Sequence, residues 1–232
     1  MSAGAGRTPP TNFDEFANDY DAALDRGISL SGEGKDFFAR GRVEWLRQFV
    51  GPDSLDRVLD YGCGTGSTSP LLQSVLGARS VIGVDTSKEE IAIARRSAGS
   101  GITFSTIDDL EPKADVDLAY CNGVFHHIPV AKRADAMTYV WNALRPGGIF
   151  SFWENNPWNP GTRLVMSRIP FDRDAILVSA GEARSLASAA GFEVLGTHFL
   201  FVFPKLLSAL RTLERHLTSV PLGAQYQVLC RK

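Results

Sequence analysis

The chain has 232 residues, 44% of them hydrophobic, and a formal net charge of −2. That length suffices for one α/β domain with a full core, and the near-neutral balance excludes a broad electrostatic pull toward nucleic acid or an anionic membrane. No apolar run reaches membrane-spanning length, and Cys63, Cys121 and Cys230 have neither disulfide nor zinc spacing, which fits a reducing, cytoplasmic setting.

Residues 1–12 open with Gly, Ala and Pro and lack an apolar signal-peptide core, so a disordered tail is expected there. Asn12 can cap a first helix whose face is Phe13, Phe16, Tyr20 and Leu24. Gly27 ends it, and a Gly- and Ser-rich linker leads to a second helix over 35–50. Its apolar side is Phe37, Phe38, Val43, Trp45, Leu46 and Phe49. Residues 13–50 thus read as a helical cap before a core at 55–232, the two forming one domain.

The core alternates strand and helix. Strands are expected at 57–61, 80–84, 102–105, 117–121 and 149–154, with helices at 68–76, after Ser87, and at 131–144. Ser87 and Glu90 stand at capping-box spacing. Residues 162–179 read as irregular and hold Phe171-Asp172-Arg173-Asp174, placed to cover a substrate. A helix at 181–190, a long strand at 192–203, a helix from Pro204 and a last strand at 225–231 follow. The leucine stripe Leu206, Leu210, Leu213 and Leu217 is wide enough to dock that helix on a sheet.

The chain is organised around Val58-Leu59-Asp60-Tyr61-Gly62-Cys63-Gly64-Thr65-Gly66-Ser67. This is a short buried strand running into a glycine turn and then a helix. A β-carbon at Gly62 or Gly64 would block a ligand from the backbone. The third glycine comes one residue too early for the dinucleotide pattern G-x-G-x-x-G. Asp60 repels a pyrophosphate and suits an ammonium instead. Asp85, nineteen residues after Gly66, ends the run 81–84, where an acid can accept both hydroxyls of a ribose. Ribose plus an amino-acid head describes S-adenosylmethionine.

Through these residues the sequence resembles the class I S-adenosylmethionine-dependent methyltransferases, in particular their small-molecule branch. The resemblance implies a doubly wound, mostly parallel seven-stranded sheet with an antiparallel C-terminal hairpin and an N-terminal helical cap. It implies S-adenosylmethionine as cofactor and S-adenosylhomocysteine as product. The expected cofactor residues are Tyr20 in the cap; Asp60, Tyr61, Gly62, Cys63 and Gly64 in the first turn; and Asp85 and Thr86 after the second strand. Asp108 is expected at the adenine, with Asp109 as the alternative, and Cys121, Asn122 and Gly123 at the end of strand four.

His126 and His127 follow strand four, where the transferred methyl group should project. Either can serve as general base, with His127 preferred and Glu154 as the alternative. Adjacent residues of a regular strand point opposite ways, and no third ligand of recognisable spacing accompanies the histidines, so no metal is expected. The stretch Asn155-Asn156-Pro157-Trp158 is superficially similar to a DNA amino-methyltransferase motif, but it follows strand five rather than strand four. A small, partly apolar or carrier-linked acceptor is therefore expected. A nicotinamide oxidoreductase is opposed by the glycine spacing and Asp60. A non-catalytic cofactor-binding subunit is opposed by the histidines and the complete sheet. The sequence leaves the acceptor atom and the oligomeric state open.

Overall fold

The computed structural model describes residues 24, 26–51, 55–172 and 175–232. The expected tail, the body of the first helix and Tyr20 lie outside the described residues. The chain forms α1 (Lys35–Arg47), β1 (Arg57–Tyr61), α2 (Ser69–Leu76), β2 (Ser80–Asp85), α3 (Lys88–Arg96), β3 (Ile102–Thr106) and β4 (Val116–Asn122). There follow α4 (Arg133–Ala143), β5 (Leu144–Asn155), α5 (Pro160–Met166), α6 (Ala180–Ala189), β6 (Glu193–Leu200) and β7 (Gln225–Arg231).

The strands make one sheet in the order β3-β2-β1-β4-β5-β7-β6. Neighbours from β3 to β5 run parallel, and β7 runs antiparallel to both β5 and β6. The fold class is the one expected, with β7 inserted between β5 and β6 rather than left at the edge. Alternate strand residues feed two cores. On one face Leu59, Ala119, Phe150 and Phe152 pack with Met137 and Val140 of α4 and Ala183 and Ala187 of α6. On the other, Val58, Val81, Leu118 and Trp153 pack with Val43 and Leu46 of α1, Leu72 of α2 and Ile91 of α3. Burying Val43 and Leu46 contributes roughly 1.5–3 kcal/mol apiece.

Helix α1 is therefore part of the core as well as a cap. Arg42 Nε donates to the Tyr120 hydroxyl at 2.8 Å, and Trp45 Nε1 donates to Gln227 Oε1 at 3.0 Å. These bonds tie it to β4 and β7. Strand order reverses between β1 and β4, and ligands of such sheets bind at the carboxyl ends of the strands around that point.

Two expectations change. Part of the irregular stretch is helix α5, opened by Pro160 and by Asn159 Oδ1, which accepts from Thr162 N at 3.0 Å. The leucine segment Lys205–His216 is a run of 3-10 turns broken at Leu207, not a helix docked on the sheet. Leu206 is 93% exposed, and Leu210 and Leu213 are exposed with it. The α-helices already cover both faces of the sheet, so the stripe has no apolar surface left to meet. The segment instead closes over the N-terminal elements, where Arg211 Nη1 donates to Glu33 Oε1 at 2.9 Å. Among the described residues, no helix is long and apolar enough to cross a membrane.

Candidate active site

The turn after β1 has φ of +72° at Gly62, +53° at Gly64 and +78° at Gly66, a region that disfavours side chains. The glycines serve different ends. A β-carbon on Gly62 would stand 2.2 Å from Val124, so that position is closed by packing. A β-carbon on Gly64 would meet nothing nearer than the Glu90 carboxylate at 3.7 Å, because it faces a cavity of about 490 Å³. Tyr61, Gly62, Gly64, Asp85, Thr86 and Ile107 line one side of this cavity. Asp85 Oδ2 accepts from Gly64 N at 2.9 Å and Oδ1 accepts from Ser87 N at 3.0 Å. Backbone amides thus fix the carboxylate, while each oxygen keeps acceptor capacity for a ligand.

Several expected cofactor residues are not on the cavity wall. Asp60 is buried and accepts from the Ser69 hydroxyl at 2.7 Å, tying the strand to the start of α2. Burial pushes its pKa up to about 7, against the lowering effect of the Ser69 hydrogen bond. Cys63 lies against Gly83, and Cys121 is wholly within the core. Burial raises both thiols well above their ordinary value. Asp108 and Asp109 are exposed on a 3-10 turn, with Asp109 Oδ2 accepting from the Thr106 hydroxyl at 2.6 Å. Ile107, not an acid, reaches the cavity from that turn. The strand gives way at Ile107 to a 3-10 turn that directs both acids outward.

A second cavity, also about 490 Å³, lies beyond the first. Its wall includes Phe37, Phe38, Val165, Ile169 and Phe201, with Arg42 and Arg211 among the polar groups. The two cavities share Asn122, Gly123 and His127. Asn122 Oδ1 is buried and has no hydrogen-bond partner among the described residues. An orphaned acceptor of this kind at a cavity wall calls for a donor from a ligand.

The histidines occupy a turn, not a strand. Gly123 has φ +67°, His127 N donates to Val124 O at 3.0 Å, and Ile128 N donates to Phe125 O at 3.1 Å. Buried Arg133 braces the turn by donating from Nε to Phe125 O at 3.0 Å, and its Nη1 pairs with Glu182 at 2.7 Å. The Arg133 Nη2 group donates to Ile176 O at 2.6 Å, and Ile176 N donates to His126 O at 3.0 Å. These bonds draw the chain around residue 172 onto the turn. In consequence both imidazoles face one carboxylate: Asp172 Oδ1 is 3.6 Å from His126 Nε2 and 3.2 Å from His127 Nε2. The expectation of divergent histidines without a third group is corrected here.

Glu154 is buried off both cavities. Its Oε1 accepts from Phe125 N at 2.7 Å and its Oε2 lies 2.6 Å from His126 Nδ1. It positions His126 and does not itself face an acceptor, which corrects its place as alternative base. Burial disfavours a charged His126, but Glu154 and Asp172 outweigh that effect and hold its pKa up at about 10. Burial and the neighbouring His126 charge push His127 down, leaving it neutral at pH 7. Burial would raise Asp172, but its hydrogen bonds with both histidines leave it below its ordinary value. Wall residues that sequence reasoning missed include Ile107 and Val124, which neighbour expected site residues, and Tyr139 and Asp172, which reach the walls from separate segments.

Residues 58–148 match the family described as a methyltransferase domain. The chain is 28% identical over 167 residues to a trans-aconitate 2-methyltransferase of Azoarcus sp. (strain BH72), covering 69% of this chain and 65% of that protein. It is 35% identical over 166 residues to a ribosomal protein L11 methyltransferase of Ralstonia pickettii (strain 12J), covering 70% of this chain and 47% of the relative. The chain thus spans less than two thirds of these relatives' length. An S-adenosylmethionine-dependent methyltransferase from Archaeoglobus fulgidus shares the fold, with a TM-score of 0.66 at 15% identity over 88% of this chain and 97% of that one. The glycine turn, the strand order and these likenesses converge: residues 58–148 carry a methyltransferase domain, on the fold of the S-adenosylmethionine-dependent methyltransferases.

Proposed function

We propose that the protein methylates a small, partly apolar acceptor with S-adenosylmethionine. The observation that carries this reading is the meeting of the two cavities across Asn122, Gly123 and His127. One cavity has the glycine turn and an acid suited to ribose, the other an aromatic wall. The orphaned Asn122 oxygen and the open side of Gly64 support the fit of the cofactor.

When bound, the cofactor supplies a sulfonium-activated methyl group, whose carbon bonds to the acceptor's lone pair while the electron pair of the broken C–S bond stays on sulfur. The remaining work belongs to the chain. Asp85 accepts from the ribose hydroxyls, Gly64 admits close approach, and Asn122 Oδ1 accepts from a cofactor or acceptor donor. Phe37, Phe38 and Phe201 exclude water and hold the acceptor in line, an orientation that can lower a barrier by roughly 7–11 kcal/mol. His127, neutral at pH 7, takes the proton of a hydroxyl acceptor, and Glu154 orients the adjoining His126. A net charge of −2 argues against a nucleic-acid acceptor, and the free cysteines suit the cytoplasm.

Calorimetric titration tests the reading. S-adenosylhomocysteine should bind one site per chain and a nicotinamide dinucleotide should not; the reverse result would overturn the assignment. Labelled-methyl transfer to a panel of hydroxy, amino and carboxylate acceptors then identifies the acceptor class.

A further inference from the structure

We infer that His126, His127 and Asp172 form a divalent-metal site, with two imidazole nitrogens and one carboxylate oxygen as ligands and an open position toward the second, aromatic-walled cavity. Among the described residues, these three offer ligand atoms that all lie within 4.8 Å of one another. Asp172 Oδ1 stands 3.2 Å from His127 Nε2 and 3.6 Å from His126 Nε2. Ligands held about 2.0–2.1 Å from a tetrahedral zinc ion are separated by about 3.3 Å, so these edges already have the size that such an ion requires.

The surroundings match. Glu154 Oε2 lies 2.6 Å from His126 Nδ1, the outer carboxylate that fixes a ligating histidine's tautomer and aims its other nitrogen at the metal. Glu154 and Asp172 place two carboxylates around two imidazoles, with side chains only 0% and 6% exposed. With both rings neutral, one divalent cation balances that charge. All three ligands line the aromatic-walled cavity, which supplies an entry path and leaves a coordination position for a ligand. Two nitrogens and one oxygen favour zinc or another first-row metal over magnesium, which demands oxygen ligands.

The open position would hold an anionic oxygen of the acceptor beside Asn122 and Gly123. That use rests on the methyl-transfer reading; the metal site itself does not. With the ion bound, the imidazoles serve as ligands, and the cation lowers the acceptor's pKa so that the proton leaves to solvent instead of to His127.

The full chain, stripped with chelator and dialysed, is titrated with Co(II) and then with Zn(II). One Co(II) per chain with visible d–d absorption of a four- or five-coordinate site, displaced by stoichiometric Zn(II), is the expected result. Asp172→Asn should weaken binding at least 100-fold, and Glu154→Gln, which keeps the ligands, about 10–100-fold. Circular dichroism of each variant checks folding. Absence of stoichiometric Co(II) binding in the wild type overturns the site and leaves a hydrogen-bonded proton relay; undiminished binding in a folded Asp172→Asn protein overturns it by moving the ion elsewhere. Calorimetry with S-adenosylhomocysteine on the metal-free protein is run in parallel. Metal binding without cofactor binding would remove the methyl-transfer reading alone, and cofactor binding without metal would remove the metal site alone.

Discussion

Asp60 and Asp85 stand at or next to the ends of neighbouring strands, yet the structure gives them opposite work. Asp85 lies on the cavity wall with its oxygens set by two backbone amides. A hydrogen bond to a charged group contributes roughly 1.5–3 kcal/mol, so Asp85→Ala should weaken S-adenosylhomocysteine binding about tenfold or more in calorimetry. Asp60 is buried behind the turn, with its pKa raised to about 7 from 3.8. Between those values the folded state binds more protons than the unfolded chain, so this group's contribution to stability falls as pH rises from about 4 to about 7 and then levels off. Asp60→Asn keeps an acceptor for Ser69 and removes the titration; denaturant midpoints of the variant should lose that downward slope, by up to about 4 kcal/mol across the window. His127→Ala should cost about 10²–10⁴ in transfer rate with cofactor affinity nearly intact. A rate within a few-fold of wild type would leave positioning alone as the source of catalysis.

At the scale of elements, the turn after β1 separates folding from binding within three residues. Gly62 carries a positive φ and would drive a β-carbon to 2.2 Å from Val124. Gly62→Ala should therefore lower stability by on the order of 1–3 kcal/mol, seen as a shifted denaturation midpoint. Gly64→Ala shares the backbone strain but adds its methyl to the cavity, so its loss of cofactor affinity should exceed that of Gly62→Ala measured on folded protein. Equal affinity losses would mean that the turn acts only through stability. The turn after β4 is organised differently. Arg133, almost wholly buried, satisfies its carbonyls and ties it to α6 and to the chain after Asp172, which is why two adjacent histidines can face one carboxylate.

At the scale of the molecule, the placement of β7 decides how the C-terminal third holds together. It pairs over seven positions with β5, from Ile149↔Arg231 to Asn155↔Gln225, and on its other side with β6. Its residues Tyr226, Val228, Leu229 and Cys230 are buried in the two cores. Deleting residues 225–232 would open the central edge of β5, strand β6 beyond it and bare apolar surface on both faces. The truncated protein is expected in the insoluble fraction, while full-length protein stays soluble; a soluble, folded truncation would show that β6 can pair with β5 directly.

Much of this architecture is legible along the chain. Buried strands read as apolar runs because both faces of a parallel sheet are covered, and Ser87 caps α3 through Glu90 N as its spacing announced. The alternating glycines identify the turn because their positive φ is a local demand. Asp85, Thr86, Asn122, Gly123 and His127 lie at or just past strand ends, and they reach the cavity walls where a parallel sheet presents them. The rest depended on where side chains point after a strand has ended. Period-two alternation stops at the first turn, so Asp108 and Asp109 face solvent, and Cys121 is spent on packing. The leucine stripe of 206–217 had amphipathic spacing but no uncovered sheet to bury against. Asp172 stands 45 residues beyond His127, and hydrogen bonds from Arg133 and Ile176 bring its stretch back onto the turn. Sequence spacing determined the sheet and its glycine cradle, because strands and turns are set by neighbours; tertiary structure alone assembled the two histidines with Asp172, because that contact is made by chain reversal and buried polar bonds between distant segments.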